Sequence, residues 1–223
     1  MVERSERNKD STDAAVAAIT TETKFGSKPA FRFSYDDDMR LFIAITVPAE
    51  IRRQLEAVCR PFAALAAQTV WCKPEQFHVT LAFIGEAAPA FLPHLRQALD
   101  RACASVPALA CRAAGFGYFG SRRSPAVLWA GVEPAEELEA LHDLLWRTLE
   151  PMGYERPSPR FHPHITLARC KERARNQAVL DAMDQSEDDV FGDWTAGGAT
   201  LYESKLTPRG PLYHALHTAP FAG

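Results

Sequence analysis

The sequence predicts an α+β domain with mainly antiparallel strands, and three observations carry that expectation. Runs of β-branched and apolar residues are interleaved with amphipathic helical stretches, without the regular alternation of a doubly wound parallel fold. No stretch approaches the ~18 consecutive apolar residues of a membrane span. One short window occurs twice, as His78-Val-Thr-Leu-Ala82 and His164-Ile-Thr-Leu-Ala168, which points to two pseudo-symmetric halves.

Taken in order, residues 1–38 are charged throughout and close on Asp36, Asp37 and Asp38. Six basic and eight acidic side chains with scattered apolar residues read as a flexible N-terminal extension. Its short apolar stretch Ala14 to Ile19, between charged flanks, does not make a secretory signal. The fold is expected to occupy residues 39–223 as a single domain. Arg40 to Val47 is a buried strand stopped by Pro48. A helix follows, with Ile51, Leu55, Val58, Phe62 and Leu65 recurring at steps of three and four to make one apolar stripe. Pro74 interrupts before a strand from Phe77 to Ile84, closed by Gly85. Phe91 to Cys103 has helical spacing, and Leu109 to Phe119 with Ala126 to Val132 forms a hairpin around the turn-rich segment from Gly120 to Pro125. Glu136 to Leu149 is a helix with Leu138, Leu141, Leu145 and Leu149 on one side. A strand spans His164 to Cys170, a charged helix Glu172 to Met183, and strands near Thr195 to Lys205 and Leu212 to Thr218 finish the chain.

Composition narrows the function classes. With 25 Lys and Arg against 28 Asp and Glu, the net charge of −3 excludes a protein that coats long duplex nucleic acid, yet leaves room for a small anion in a locally basic cleft. The five cysteines are odd in number and contain no C-x-x-C, so a reducing cytoplasm fits better than a disulfide framework or a zinc ribbon. No glycine-rich phosphate loop of the G-x-x-x-x-G-K type occurs.

The repeated window carries chemistry because strand side chains alternate. His78 and Thr80 share one face, as do His164 and Thr166, while Val79, Leu81, Ile165 and Leu167 take the other. Two such strands can present two imidazoles and two hydroxyls to a shared cleft. Imidazoles with an ordinary pKa near ~6.5 can be held in opposite protonation states, one as general base and one as general acid. The hydroxyls can donate to the non-bridging oxygens of a phosphate. That set suits in-line phosphodiester chemistry with no metal. A metal chelated by His162-Pro-His164 is the alternative, and its flanks carry no recognised ligand spacing.

These residues resemble the two-histidine phosphoesterase superfamily, and within it the RNA 2′,3′-cyclic phosphodiesterases also called 2′-5′ RNA ligases. The likeness rests on Arg40-Leu-Phe-Ile-Ala-Ile, on Phe77 to Gly85, on Val127-Leu-Trp-Ala-Gly-Val132, on Phe161 to Arg169, and on Leu201-Tyr-Glu-Ser with Leu206, Pro208 and Tyr213. It implies a bilobal fold with two antiparallel sheets and flanking helices around a central cleft, and hydrolysis of an RNA 3′-terminal 2′,3′-cyclic phosphate to a 2′-phosphate without a cofactor. Carried over, His78 becomes the acid toward the 3′ oxygen, His164 the base toward water, and Thr80 and Thr166 the phosphate donors. The resemblance also brings Arg169 to the phosphate, although strict alternation puts it on the opposite face unless the strand bulges. Phe42 either stacks on the terminal base or packs as an ordinary core residue; Arg122 and Arg123 either attract the RNA backbone or make a solvated turn; His162 lines the rim. A 2′-5′ phosphodiester hydrolase or ligase, and a non-catalytic RNA-end binding module, are the other readings. A monomer with no membrane association is expected, since one chain supplies both halves of the site.

Overall fold

The computed structural model describes residues 38–222 apart from 67–68, 159, 172–175, 187–188 and 209. The expected N-terminal extension therefore lies outside the described residues except for Asp38. The elements are β1 (Met39–Thr46), α1 (Ala49–Leu65), β2 (Thr69–Trp71), β3 (His78–Ala87), α2 (Leu92–Cys103), β4 (Leu109–Ser121), β5 (Ser124–Glu133), α3 (Ala135–Leu149), β6 (His164–Cys170), α4 (Gln177–Asp184), β7 (Val190–Ala196), β8 (Gly198–Thr207) and β9 (Gly210–Pro220). The strands run antiparallel in the order β7-β4-β5-β6-β3-β1-β8-β9, with β2 added beside β6.

The α+β class stands, and the two expected sheets are the halves of one. β7-β4-β5-β6 and β3-β1-β8-β9 join through a single paired position, Val79 opposite Ile165. Both of those side chains are fully buried. They belong to a continuous core with Leu41, Ile43 and Ile45 of β1, Ile51 and Leu55 of α1, Leu95 and Leu99 of α2, and Leu138, Leu141 and Leu145 of α3. The helices thus cover one face of the sheet. Each large aliphatic side chain removed from water there contributes roughly 1.5–3 kcal/mol. The opposite face of the central strands carries the polar members of the repeated windows.

Local chemistry sets the element ends. Pro48 precedes α1 in an extended conformation, and Glu136 and Glu137 at the start of α3 with Arg147 near its end complement the helix dipole. Three expectations need correction. Leu65, assigned to the apolar stripe of α1, is 49% exposed because it ends the helix beyond the sheet's cover. The strand expected at Thr195 to Lys205 is two strands, β7 and β8, broken at Gly197. Gly85 does not close β3; with φ at 78° it continues past a bulge to Ala87. The first residues of the helix expected from Glu172 lie outside the described residues, and α4 begins at Gln177. Among the described residues no helix is long and apolar enough to cross a membrane.

Candidate active site

The junction of the two half-sheets assembles the repeated windows. With Val79 opposite Ile165 in an antiparallel pair, His78 lies toward Thr166 and Thr80 toward His164. The two buried partners point into the core, so all four polar side chains stand on the open face.

Each window then bulges at the same residue. On β3, Ala82 pairs with Ile43 and Thr80 with Ala44, which leaves Leu81 as an extra residue. On β6, Ala168 pairs with Leu128 and Thr166 with Trp129, which leaves Leu167 extra. An inserted residue shifts the alternation by one, so two consecutive side chains go inward and the next returns to the open face. Burial follows that rule: Leu81 and Ala82 are both buried, as are Leu167 and Ala168, and the residues after them, Phe83 and Arg169, are exposed. Arg169 is therefore on the face of the histidines, and its charge is felt by both of them. Phe83, at the same offset from His78, is 55% exposed.

The imidazoles are held alike. Nδ1 of His78 lies 2.7 Å from the Gln76 carbonyl oxygen, and Nδ1 of His164 lies 2.7 Å from the His162 carbonyl oxygen. A carbonyl only accepts, so Nδ1 carries the hydrogen in both rings and Nε2 is left with its lone pair. Aromatic rings wall each one in. His78 packs against Phe42 at 4.9 Å and edge-on to Tyr213 at 5.2 Å, and His164 edge-on to Phe119 at 4.8 Å. Burial by these walls lowers both pKa values to about 4, more than the carbonyl bonds raise them, and the Arg169 charge lowers them further. His164 also feels His162 and His78. Opposite protonation states, expected from ordinary imidazoles, are thus not the resting state: both rings are neutral near pH 7.

Thr80 and Thr166 are half-buried, and among the described residues neither hydroxyl makes a hydrogen bond. Arg169 forms no ion pair among the described residues. Two idle hydroxyls and an uncommitted guanidinium on the face of two neutral imidazoles are donors of the kind that can bind a tetrahedral anion. Among the described residues no three His, Cys, Asp or Glu side chains cluster so as to hold a metal ion.

Other assignments change. Phe42 is on the open face but only 3% exposed, stacked on Tyr202 at 5.2 Å and crossed by Tyr213 at 4.9 Å, so it supports His78 and offers no free face to a base. Arg122 is tied to Asp181 at 2.6 Å and Asp184 at 2.7 Å, which fixes it to α4 in place of an RNA backbone. Arg123 is exposed and without an ion pair among the described residues. His162 stands exposed on the rim with its ring 4.6 Å from Trp129. The residues missed by sequence reasoning are Phe83, Tyr202, Tyr213, Phe119 and Trp129. Phe83 had a signal, since it shares Arg169's offset in the duplicated window; the others come from strands whose faces only the register defines.

Comparison with known proteins gives consistent matches. The family model described as the 2′-5′ RNA ligase superfamily matches residues 71–207. A Thermotoga maritima protein named RNA 2′,3′-cyclic phosphodiesterase is 31% identical over 186 residues, covering 83% of this chain and 97% of its own. The crystal structure of TT0787 of Thermus thermophilus is similar with a TM-score of 0.71 and 30% identity, over 83% of this chain and 99% of that one. E. coli LigT complexed with 3′-AMP has a TM-score of 0.65 and 26% identity, over 84% of this chain and all of that one (100%).

Proposed function

Because the chain belongs to the 2′-5′ RNA ligase superfamily, we propose that it hydrolyses the 2′,3′-cyclic phosphate at an RNA 3′ end to a 2′-phosphate, with His78 and His164 as the proton-transfer pair and no metal or cofactor in any step. It is a hydrolase of phosphodiester bonds, the class its curated relatives are named for. The observation that carries the reading is the junction itself, where two identically held histidines, two free hydroxyls and Arg169 share one open face.

The geometry supports the following steps. The cyclic phosphate seats between the windows, with Thr80 and Thr166 donating to its non-bridging oxygens and Arg169 binding two oxygens together. Its negative charge raises the pKa of the neighbouring imidazoles, and His78 takes up a proton. Neutral His164 accepts a proton from water at Nε2 as the water oxygen bonds to phosphorus. The P–O3′ bond breaks in line, and O3′ receives the proton of His78 at Nε2. The terminal base rests on Phe83, the exposed aromatic beside this half of the site. An RNA end as substrate is supported by the relatives' names and by the 3′-AMP bound to the similar E. coli protein.

The reading extends to a monomeric enzyme of the cytoplasm formed by residues 39–223, supported by a site drawn from one chain and by five free cysteines. The test is incubation with a short RNA ending in a 2′,3′-cyclic phosphate in the presence of EDTA, resolving 2′- from 3′-phosphate. A 2′-phosphate product that disappears in His78→Ala and His164→Ala is the expected result; activity in the double variant, or dependence on added metal, refutes it.

A further inference from the structure

Bonds from Nδ1 hold the two imidazoles alike, yet the carbonyls that accept those bonds are themselves held by different means. Before His164 the chain is fixed by rings and a proline. Phe161 stacks on His142 at 4.3 Å, the His162 ring lies 4.6 Å from Trp129, and the Pro163 carbonyl accepts from the Val132 N–H at 3.2 Å. Before His78 a polar side chain takes that part. Gln76 closes a single 3-10 turn, Pro74–Gln76, and its amide is engaged at both ends. Oε1 accepts from the Lys73 N–H at 2.8 Å, and Nε2 donates to the Pro211 carbonyl at 3.0 Å. The Gln76 N–H donates to the Lys73 carbonyl at 2.8 Å, and its own carbonyl is the acceptor for Nδ1 of His78. Pro211 lies at the start of β9, and two residues later Tyr213 sets its ring edge-on to His78 at 5.2 Å. One side chain therefore ties the turn that supplies the carbonyl to the strand that supplies the wall.

We infer that Gln76 is a positioning residue for His78: its side chain locks the turn so that the Gln76 carbonyl keeps the hydrogen of the ring on Nδ1 and leaves Nε2 free toward the phosphate. The consequence for turnover rests on the phosphodiesterase reading; the consequence for the ring does not. A hydrogen bond weakens steeply as its angle opens, so a carbonyl at the end of one short turn serves the ring only while that turn is fixed. The bond also favours the charged ring, since the carbonyl raises the His78 pKa against the burial that lowers it. The other groups facing the ring do not replace it. Arg169 of β6 lowers that pKa, His164 of β6 is lowered in turn by His78, and Tyr213 of β9 is a buried phenol whose pKa lies above its ordinary 10. Loss of the Gln76 anchors is therefore expected to release the tautomer of His78 and to make its imidazolium a scarcer acid, while His164, held by its own carbonyl, stays as it is.

The test uses Gln76→Met in the full-length protein, a side chain of similar length with neither amide group. Imidazole 15N spectra of histidine-labelled protein, assigned with His78→Asn and His164→Asn, report the tautomer of each ring. In the wild type both rings are expected to carry the hydrogen on Nδ1; in Gln76→Met the His78 signals move toward a mixture of tautomers and the His164 signals stay in place, which also shows the fold intact. With an RNA ending in a 2′,3′-cyclic phosphate, kcat at pH 7 is expected to fall about tenfold, the effect of one hydrogen bond to a charged group, with KM within about twofold. A general acid is lost as the pH rises through its pKa, so the limb on which kcat falls with rising pH should move down by about one unit. Lys73→Pro reads the same tie should Gln76→Met not fold: φ of Lys73 is −78°, which proline adopts, so the N–H that Gln76 accepts is removed without a change of backbone. It should move the His78 signals in the same direction, with Lys73→Ala leaving them in place. His78 signals unchanged in Gln76→Met, or in Lys73→Pro where that variant is used, overturn the positioning role. Altered signals with an unmoved pH limb overturn its link to the acid. A wild type inert toward the cyclic phosphate overturns the phosphodiesterase reading, and the spectra still judge the positioning on their own.

Discussion

In the free protein both imidazoles titrate at about 4, so at pH 7 only about one molecule in a thousand carries a proton on either ring. The proposed hydrolysis nevertheless needs a general acid when O3′ leaves, and in that proposal the substrate's own charge supplies the bias. An opposite unit charge about 4 Å from an imidazolium, at an effective dielectric of about 20, is worth about 4 kcal/mol. That corresponds to about 3 pKa units and lifts a value of about 4 to about 7. Anion binding is therefore expected to draw a proton from solution. Sulfate tests this cleanly, because it stays a dianion across the useful range. Titration calorimetry of sulfate binding in two buffers of different ionisation enthalpy should report uptake of about half a proton or more at pH 7, and more at pH 6, with affinity rising as the pH falls. His78→Asn and His164→Asn should each reduce the uptake, and the double variant should abolish it. Sulfate that binds between pH 6 and pH 7 without proton uptake refutes the mechanism, since His78 would then have no way to become the acid.

The same shifts set a stability profile. The folded pKa values lie below the unfolded value near ~6.5, so the fold favours the neutral rings; that contribution is full above ~6.5 and is lost as the pH falls toward about 4, by up to about 3 kcal/mol per ring. Urea unfolding at pH 7 and pH 4.5 should show a smaller acid loss in the His78→Asn, His164→Asn double variant than in the wild type, and equal losses would refute the buried-imidazole account. Phe42 and Phe83 should separate stability from binding: Phe42→Ala, at a 3% exposed site, is expected to cost about 3–5 kcal/mol in denaturant titration, whereas Phe83→Ala should leave stability within about 1 kcal/mol and raise KM about tenfold. Arg169→Lys keeps the charge but loses the planar fork, so kcat/KM should fall by roughly ten- to a hundredfold in a steady-state assay with the fold intact by circular dichroism.

Much of the fold was legible because its signals are periodic. The stripe of Ile51, Leu55 and Phe62 is buried as helix spacing requires, and β6 begins and ends where its residues were expected to begin and end it. The three-residue β2 gave no period to detect, and it is a strand only because it pairs with β6. The break at Gly197 separates two apolar runs that read as one until the first is paired with β4 and the second with β1. Arg122 shows the same limit for charge: a turn with two arginines looks free in sequence, and the carboxylates that hold it come from a helix about sixty positions later.

The placement of Arg169 was the point where residue logic and family likeness disagreed, and the bulges explain why. Alternation counted from His164 sends position 169 inward, and that count is right for an unbroken strand. An extra residue at Leu167 reverses it, and the matching extra residue at Leu81 does the same for Phe83. Neither leucine announces a bulge, because both are ordinary buried strand residues and the irregularity exists only relative to the partner strand. What sequence did contain was the duplication, and a duplicated irregularity preserves the correspondence between halves even when the face assignment is wrong. His78 therefore still matches His164, Thr80 matches Thr166, and the first functional difference between the halves falls at the residue after the bulge, aromatic in one and cationic in the other. In the proposed reaction, that difference would let a nearly symmetric pair of strands treat the two sides of a phosphate unequally, with a base at Phe83 and phosphate oxygens at Arg169.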